Sequence, residues 1–491
     1  MFHTDKYAAL VARHREAIVA AEKYIWEHPE TGFKEWQTGA YLEKIFEDAG
    51  YTLTKAGNIP GFYTDIDTGR PGPRLLIICE LDALAMPHHF AAVDGCAHAC
   101  GHHAQCAAMV GIALALREPG ALDGLSGSIR LAAVPAEEEI QLDFRDELRR
   151  AGTIRYCGGK DEFLFRGYFD GVDLAYMFHT GTNPHSKLDI HDGCNGNISK
   201  DIVFHGKAAH AGSFPQAGIN ALYAATLTLN AINALRETFP DKENVRVHPI
   251  MTNGGDSVSV IPAEAALSTL VRGNSLPSIA RTNRKVNRAI ASGALAMGAT
   301  VTVTDHPGAC PLHNAPRLKE IATDVMAELV GRENLNITHN FGGGSTDMGN
   351  LSCLMPVLHP YISGAAGASH GNDFRIADVE NACVVSAEGQ LSLAAALLSD
   401  DARLAREVVD NYEPLYPNKE AYFADWDKYM AEHDLLIWGK TVPSPSICKH
   451  SKTCKKPPQG WLFARLEDCE RDFKRLYISG LRVDKLQIVS T

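Results

Sequence analysis

The sequence predicts a three-layer α/β domain interrupted by a smaller α+β unit. Over residues 1–194, short continuous apolar runs alternate with segments of helical periodicity, as buried parallel strands and their crossover helices do. Between 195 and 305 the order becomes strand–helix–strand–strand–helix–strand, the ferredoxin-like pattern. The α/β periodicity returns over 306–405, which makes the α+β unit an insertion. At 491 residues the chain is too long for one ordinary core, in keeping with two or more domains.

Taken in order, Leu10, Val11, Ile18, Ala21 and Ile25 recur at helical spacing, and a second helix is predicted over 36–49, stopped by Gly50. Residues 74–79, 129–134 and 173–178 read as buried strands, with a helix after His103 between the first two. In the inserted unit, strands over 198–204, 245–251, 265–272 and 300–304 accompany helices over 215–236 and 277–297. Helices over 318–329 and 379–398 complete the α/β part. The remainder, 406–491, reads as a poorly ordered or loosely docked extension of unknown role, rich in proline and carrying a basic stretch over 449–456. Cys448, His450, Cys454 and Cys469 lie there, at spacings that match no standard zinc motif.

Composition excludes several classes of function. Hydrophobic residues at 45% and charged residues at 22% are those of a soluble globular protein. A net charge of -12 argues against a nucleic-acid partner, which needs a basic face. No apolar run approaches a bilayer span, and the first residues pass into an amphipathic segment without a signal-peptide core, so no membrane partner and a cytoplasmic location are expected. The 12 cysteines are accordingly expected to be reduced thiols.

The chemistry is concentrated at strand ends. Cys96, His98, Cys100, His102 and His103 crowd one short segment, preceded by Glu80-Leu81-Asp82 and followed by Glu137-Glu138-Glu139. Asp82, Glu137, Glu138 and His179 each lie just past the carboxyl end of a predicted strand, where sites gather in open α/β sheets. Thiolate, imidazole and carboxylate together suit zinc or a neighbouring transition metal. Of two adjacent glutamates leaving a strand, one is free to bind metal while the other handles protons. Each feature has a plainer reading: a buried cysteine beside surface histidines, or glutamates in the first turn of a helix. His370 lies far along the chain, after a glycine-rich segment containing Gly344 that allows close backbone approach to a substrate. His210 sits among small residues in the inserted unit.

Together, Glu-Leu-Asp-Ala-Leu, His-Ala-Cys-Gly-His, Pro-Ala-Glu-Glu, Gly-Lys-Ala-Ala-His-Ala, Gly-Ser-Thr-Asp-Met-Gly and Ser-His-Gly, in this order over residues 5–405, resemble peptidase family twenty. The closest likeness is to its amidohydrolase branch with a Cys-Gly-His signature. The resemblance implies a zinc-peptidase-like catalytic domain interrupted by a ferredoxin-like lid that dimerises. It implies two divalent metal ions, zinc or manganese, held by Cys100 as the bridging ligand with His102, Glu138, His179 and His370. It also implies Glu137 as catalytic base, Asp82 as supporting carboxylate, and His210 as a lid histidine that reaches an active site, commonly the partner subunit's. Arg272 matches a lid arginine suited to a substrate carboxylate.

The implied reaction is hydrolysis of N-acyl or N-aroyl amino acids or small dipeptides with a free carboxylate. Three positions depart from the family's pattern: His103, Ser259 where a lid asparagine is usual, and an insertion from Ile140 to Cys157. They are the support for an alternative, a catalytically silent metal-binding protein on the same fold.

Overall fold

The strands Arg74–Glu80 and Ser128–Val134 are apolar on both faces, and both lie at the centre of a six-stranded sheet. In the computed structural model, which describes residues 2–436, its order is Thr54–Lys55, Phe62–Asp67, Ser128–Val134, Arg74–Glu80, Leu174–Tyr176 and Val357–Leu358. The last four run parallel, and the first two are antiparallel additions at one edge. One face packs on the N-terminal helices, the helix His102–Leu116 and the helix Ser386–Asp410, through residues such as Ile18, Leu42, Val110 and Leu391. The other face buries Tyr156, Phe163, Met348, Tyr422 and Trp426. Apolar layers on both sides of a largely parallel sheet are the expected solution for strands of this kind.

A second sheet is antiparallel throughout. Its order is Arg246–Val247, Glu264–Gly273, Gly196–His205, Thr300–Pro307 and Ala431–Leu436, with Ile250–Asn253 also paired to Glu264–Gly273. The Glu264–Gly273 strand alternates buried and less buried residues, the period-two pattern of a sheet covered on one face. The helices Ala221–Ala234 and Leu276–Met297 provide that cover, over a core that includes Ile202, Phe204, Leu267, Val286 and Ile290.

Several elements differ from the sequence reading. The first helical stretch is two helices, Thr4–Ala12 and Arg15–Trp26. The helix predicted over 215–236 is regular only at Ala221–Ala234, capped by the Asn220 side chain, which accepts from the Tyr223 N–H. The strand predicted over 245–251 is split into two short pieces. The insertion carries its own helix, Leu142–Arg150.

The largest correction concerns the tail. Residues 406–436 are packed rather than loosely docked: Tyr422 and Trp426 are fully buried, and both donate hydrogen bonds to the carboxylate of Asp161, at 2.8 and 2.9 Å. Aromatic side chains with a polar tip gain both area and a hydrogen bond at such a place. The cysteine and histidine group over 448–469 lies outside the described residues. The helical run Glu380–Asp410 is long and apolar enough to cross a membrane, against the expectation that no segment was, but 83% of its most apolar window is buried within the protein. It is a core helix of the α/β part.

Candidate active site

The ligands predicted at strand ends converge. Glu80 closes its strand, Asp82 follows it, Glu137 and Glu138 follow Ser128–Val134, and His179 opens a short strand just past Leu174–Tyr176. Between them lies the start of the helix His102–Leu116, reached through Gly101 at φ +95. A Cβ on Gly101 would meet the Thr180 side chain at 2.5 Å, so glycine is required by both conformation and space.

Cys100 stands between two ligand groups. It lies with His102 and His179 in one and with Glu138 and His370 in the other, the donor atoms of each group within 4.8 Å of one another. Its Sγ is 3.4 Å from His179 Nε2, and His370 Nε2 is 3.2 Å from Glu138 Oε1. A third group, Glu80, His102 and Glu137, adjoins the first through His102.

Neighbouring carbonyls orient the imidazoles. His102 Nδ1 lies 2.8 Å from the Asp82 carbonyl, which can only accept, so Nδ1 carries the proton and Nε2 is the free ligand atom. His179 Nδ1 meets the Thr180 carbonyl at 2.9 Å with the same consequence. Asp82 also accepts from the Glu138 backbone N–H at 2.9 Å through its side chain, so it braces both a histidine and a glutamate. Two of the site's residues hold left-handed backbone despite a side chain: Ala136 at φ +57, next to Glu137, and His370 at φ +59. Each is pinned by its N–H, Ala136 to Glu35 Oε1 at 2.8 Å and His370 to the Ala99 carbonyl at 2.9 Å.

The electrostatics call for cations. Burial, and then the charges of Glu80, Glu138 and Asp347, push the Glu137 carboxyl well above its usual range. Burial and the Glu138 charge do the same to the Cys100 thiol. The buried counter-charge is Lys160, which donates to Glu80 Oε1 at 2.5 Å and to Asp347 Oδ1. Against the burial that opposes it, Lys160 holds Glu80 ionised well below the ordinary carboxylate range. Among the described residues, His102 Nε2 and Asp82 Oδ1 are buried without a hydrogen-bond partner. Orphaned nitrogen and oxygen ligand atoms beside a thiol, in a pocket crowded with carboxylates, fit divalent metal ions.

Other predicted residues fall elsewhere. Arg272 reaches the glycine-rich segment, donating to Ser345 Oγ at 2.9 Å beside exposed Gly344. His210 and Ser259 are neighbours on the antiparallel unit, joined by the Ala211 N–H to the Ser259 carbonyl at 2.9 Å, and neither belongs to a ligand group among the described residues. His103 is fully buried against Trp26 and His98, 3.5 Å from Glu22, and faces away from the ligands. Sequence reasoning missed Lys160 and Glu35. The Gly158-Gly159 pair was the available signal for Lys160, since a Cβ on Gly159 would meet the Pro135 carbonyl oxygen at 1.6 Å.

Residues 61–389 match the profile of peptidase family M20/M25/M40. The chain belongs to this family. Among characterised relatives, it is 28% identical to the human Xaa-Arg dipeptidase over 369 residues, which covers 71% of this chain and 76% of that one. It is 31% identical to one of the subunits of the Escherichia coli p-aminobenzoyl-glutamate hydrolase over 312 residues, covering 61% and 59%. A dinuclear metal-binding M20 peptidase from Bacillus subtilis shares the fold, with a TM-score of 0.60 at 20% identity over 79% of this chain and 99% of that one. As an M20 protein, the chain is a metal-dependent hydrolase of amide bonds.

In this M20 chain, Lys160→Met should destabilise the fold by ~3–5 kcal/mol, because it leaves two buried carboxylates without their cation. With Lys160 present the Glu80 pKa is depressed, which adds stability above the unfolded carboxylate range; without it the buried acids favour the protonated form. The deficit should therefore be full above the ordinary carboxylate range and shrink as the pH falls below about 4, read from denaturant midpoints. A deficit independent of pH would exclude the ion pair as its cause.

Proposed function

We propose that the Cys100 site holds two divalent metal ions, zinc or manganese, and cleaves N-acyl or N-aroyl amino acids or small dipeptides that carry a free carboxylate. The observation that carries this reading is Cys100 standing between two ligand groups, His102 with His179 and Glu138 with His370. When bound, the metals supply Lewis acidity, which acidifies a water and polarises the scissile carbonyl. Glu137 takes the proton of that water and passes it to the leaving amine. Its carboxyl lies 4.0 Å from His102 Nε2, close to the ligands without belonging to either group around Cys100. Asp82 keeps His102 in the tautomer that presents Nε2.

The antiparallel unit acts as a lid and dimerises. Its outer surface exposes Tyr223, Leu227, Ile250, Met251 and Val260, an apolar patch of the kind that marks an interface. His210 Nδ1 accepts from the N–H groups of Gly212 and Ser213, so its Nε2 bears a proton. Across a dimer, that N–H is available to the oxyanion formed in the partner subunit's site. Ser259 lies beside it, and Gly344 and Arg272 flank the substrate carboxylate.

Glu137→Gln should retain both metals and lower kcat by about 100-fold to 10,000-fold; near-normal turnover would rule out Glu137 as the base. Arg272→Ala should raise KM for carboxylate-bearing amides by about tenfold to a hundredfold, with little change in kcat. An unchanged KM would remove the argument for a free carboxylate. Tyr223→Glu with Ile250→Glu should give folded monomers, by sedimentation, that keep their metals but lose most turnover. Active monomers would refute the contribution of the partner's His210.

A further inference from the structure

Away from the Cys100 site, Asp146, Cys157 and His306 bring carboxylate, thiol and imidazole together, with ligand atoms within 4.8 Å of one another. Asp146 lies on the helix of the insertion and Cys157 at the insertion's end. His306 comes from Thr300–Pro307, the strand by which the chain leaves the antiparallel unit. His306 is only 3% exposed, and its Nδ1 makes no hydrogen bond to a nitrogen or oxygen among the described residues. That nitrogen points at the other two ligands, 3.8 Å from Asp146 Oδ1. On the far side of the ring, Nε2 lies 3.5 Å from Asp201 Oδ2, a carboxylate itself held by the Ser268 hydroxyl at 2.7 Å. A carboxylate behind the imidazole is how metal-binding histidines are commonly oriented.

The surroundings favour positive charge. Burial lowers the His306 pKa, but Asp201, Cys157 and Asp146 outweigh it and raise it to about 10. A nearby cation, Arg149, sits 3.0 Å from Asp146 Oδ1. Zinc would take the place of this contact, since the same oxygen faces His306. A small cavity lined by Cys157, Gly158 and His306, and also by Glu137, Glu139 and Asp347, adjoins the cluster; it leaves room beside Cys157 and His306 and reaches the active-site carboxylates. Three protein ligands of mixed S, N and O character with one open position match zinc better than a hard cation.

We propose that Asp146, Cys157 and His306 form an additional zinc site, separate from the Cys100 site, that staples the insertion to the exit strand of the antiparallel unit. Cys157 directly precedes the glycines that lead to Lys160, and His306 directly precedes Pro307-Gly308. At Gly308 a Cβ would meet Glu139 Oε1 and Asn197 Oδ1 at 2.0 Å, so the two parts of the chain already touch there. Zinc at this junction cross-links the segment that carries Lys160 to the segment that carries the lid.

The test counts metal rather than activity. Full-length protein is stripped with a chelator, titrated with zinc by calorimetry, gel-filtered and assayed for bound metal. Cys157→Ser and Asp146→Asn should each bind one zinc fewer per chain than the wild type and lose part of its zinc-dependent rise in Tm. A Cys100→Ser His370→Ala chain, impaired at the active site, should keep the additional zinc, and Cys157→Ser in that background should abolish it. This arm separates the proposal from the two-metal reading of the active site. Equal zinc content in the wild type, Cys157→Ser and Asp146→Asn would overturn it and leave His306 as an imidazolium paired with Asp146 and Asp201.

Discussion

One buried ammonium, that of Lys160, lies between the carboxylates of Glu80 and Asp347, and the rest of the site is arranged around the charge it leaves uncompensated. Glu80 ends one central strand, while Asp347 belongs to the segment that returns after the antiparallel unit. The ion pair therefore joins parts of the chain far apart in sequence at the point where the ligands meet. Burying several carboxylates and a thiol around one cation is unfavourable unless further positive charge arrives. The same imbalance that favours cations in the pocket also raises the affinity of Glu137 for a proton, which suits a group that must take one up during reaction.

Much of this was legible in the sequence because the ligands are terminal residues of strongly apolar runs. Arg74–Glu80 and Ser128–Val134 announce themselves as buried strands, and whatever follows them must emerge on the same side of the sheet. Asp82, Glu137, Glu138 and His179 could thus be grouped by position, while the full set of Cys100, His102, Glu138, His179 and His370 came from the family resemblance; these five are grouped in the fold. Lys160 was missed, since its partners lie 80 and 187 residues away and the Gly158-Gly159 pair before it marks a close backbone approach without naming a partner. Glu35 was hidden for the same reason: its role is to hold the backbone of Ala136, a contact across 101 residues. His103, which departs from the family's usual pattern, packs against Trp26 and lies behind the site. His210 and Ser259 form a pair on the antiparallel unit, and their chemical use depends on what meets that surface.

The insertion after Glu139 illustrates a different limit. In the sequence it reads only as a departure from the family's pattern, yet it forms a helix that returns Arg145 to the site's edge, where the guanidinium donates to the Glu138 and Cys157 carbonyls. A residue at the heart of the ligand set thus has its backbone held by a segment that supplies none of the ligands around Cys100. Tertiary hydrogen bonds of this kind have no periodicity and are invisible until the fold is known.

The packed C-terminal segment ties the two parts of the chain together. Its strand Ala431–Leu436 pairs with Thr300–Pro307 and so forms one margin of the antiparallel sheet. A few residues earlier, Tyr422 and Trp426 are hydrogen-bonded to Asp161 of the α/β part. A swing of one part against the other must therefore bend this strap or peel it from the sheet.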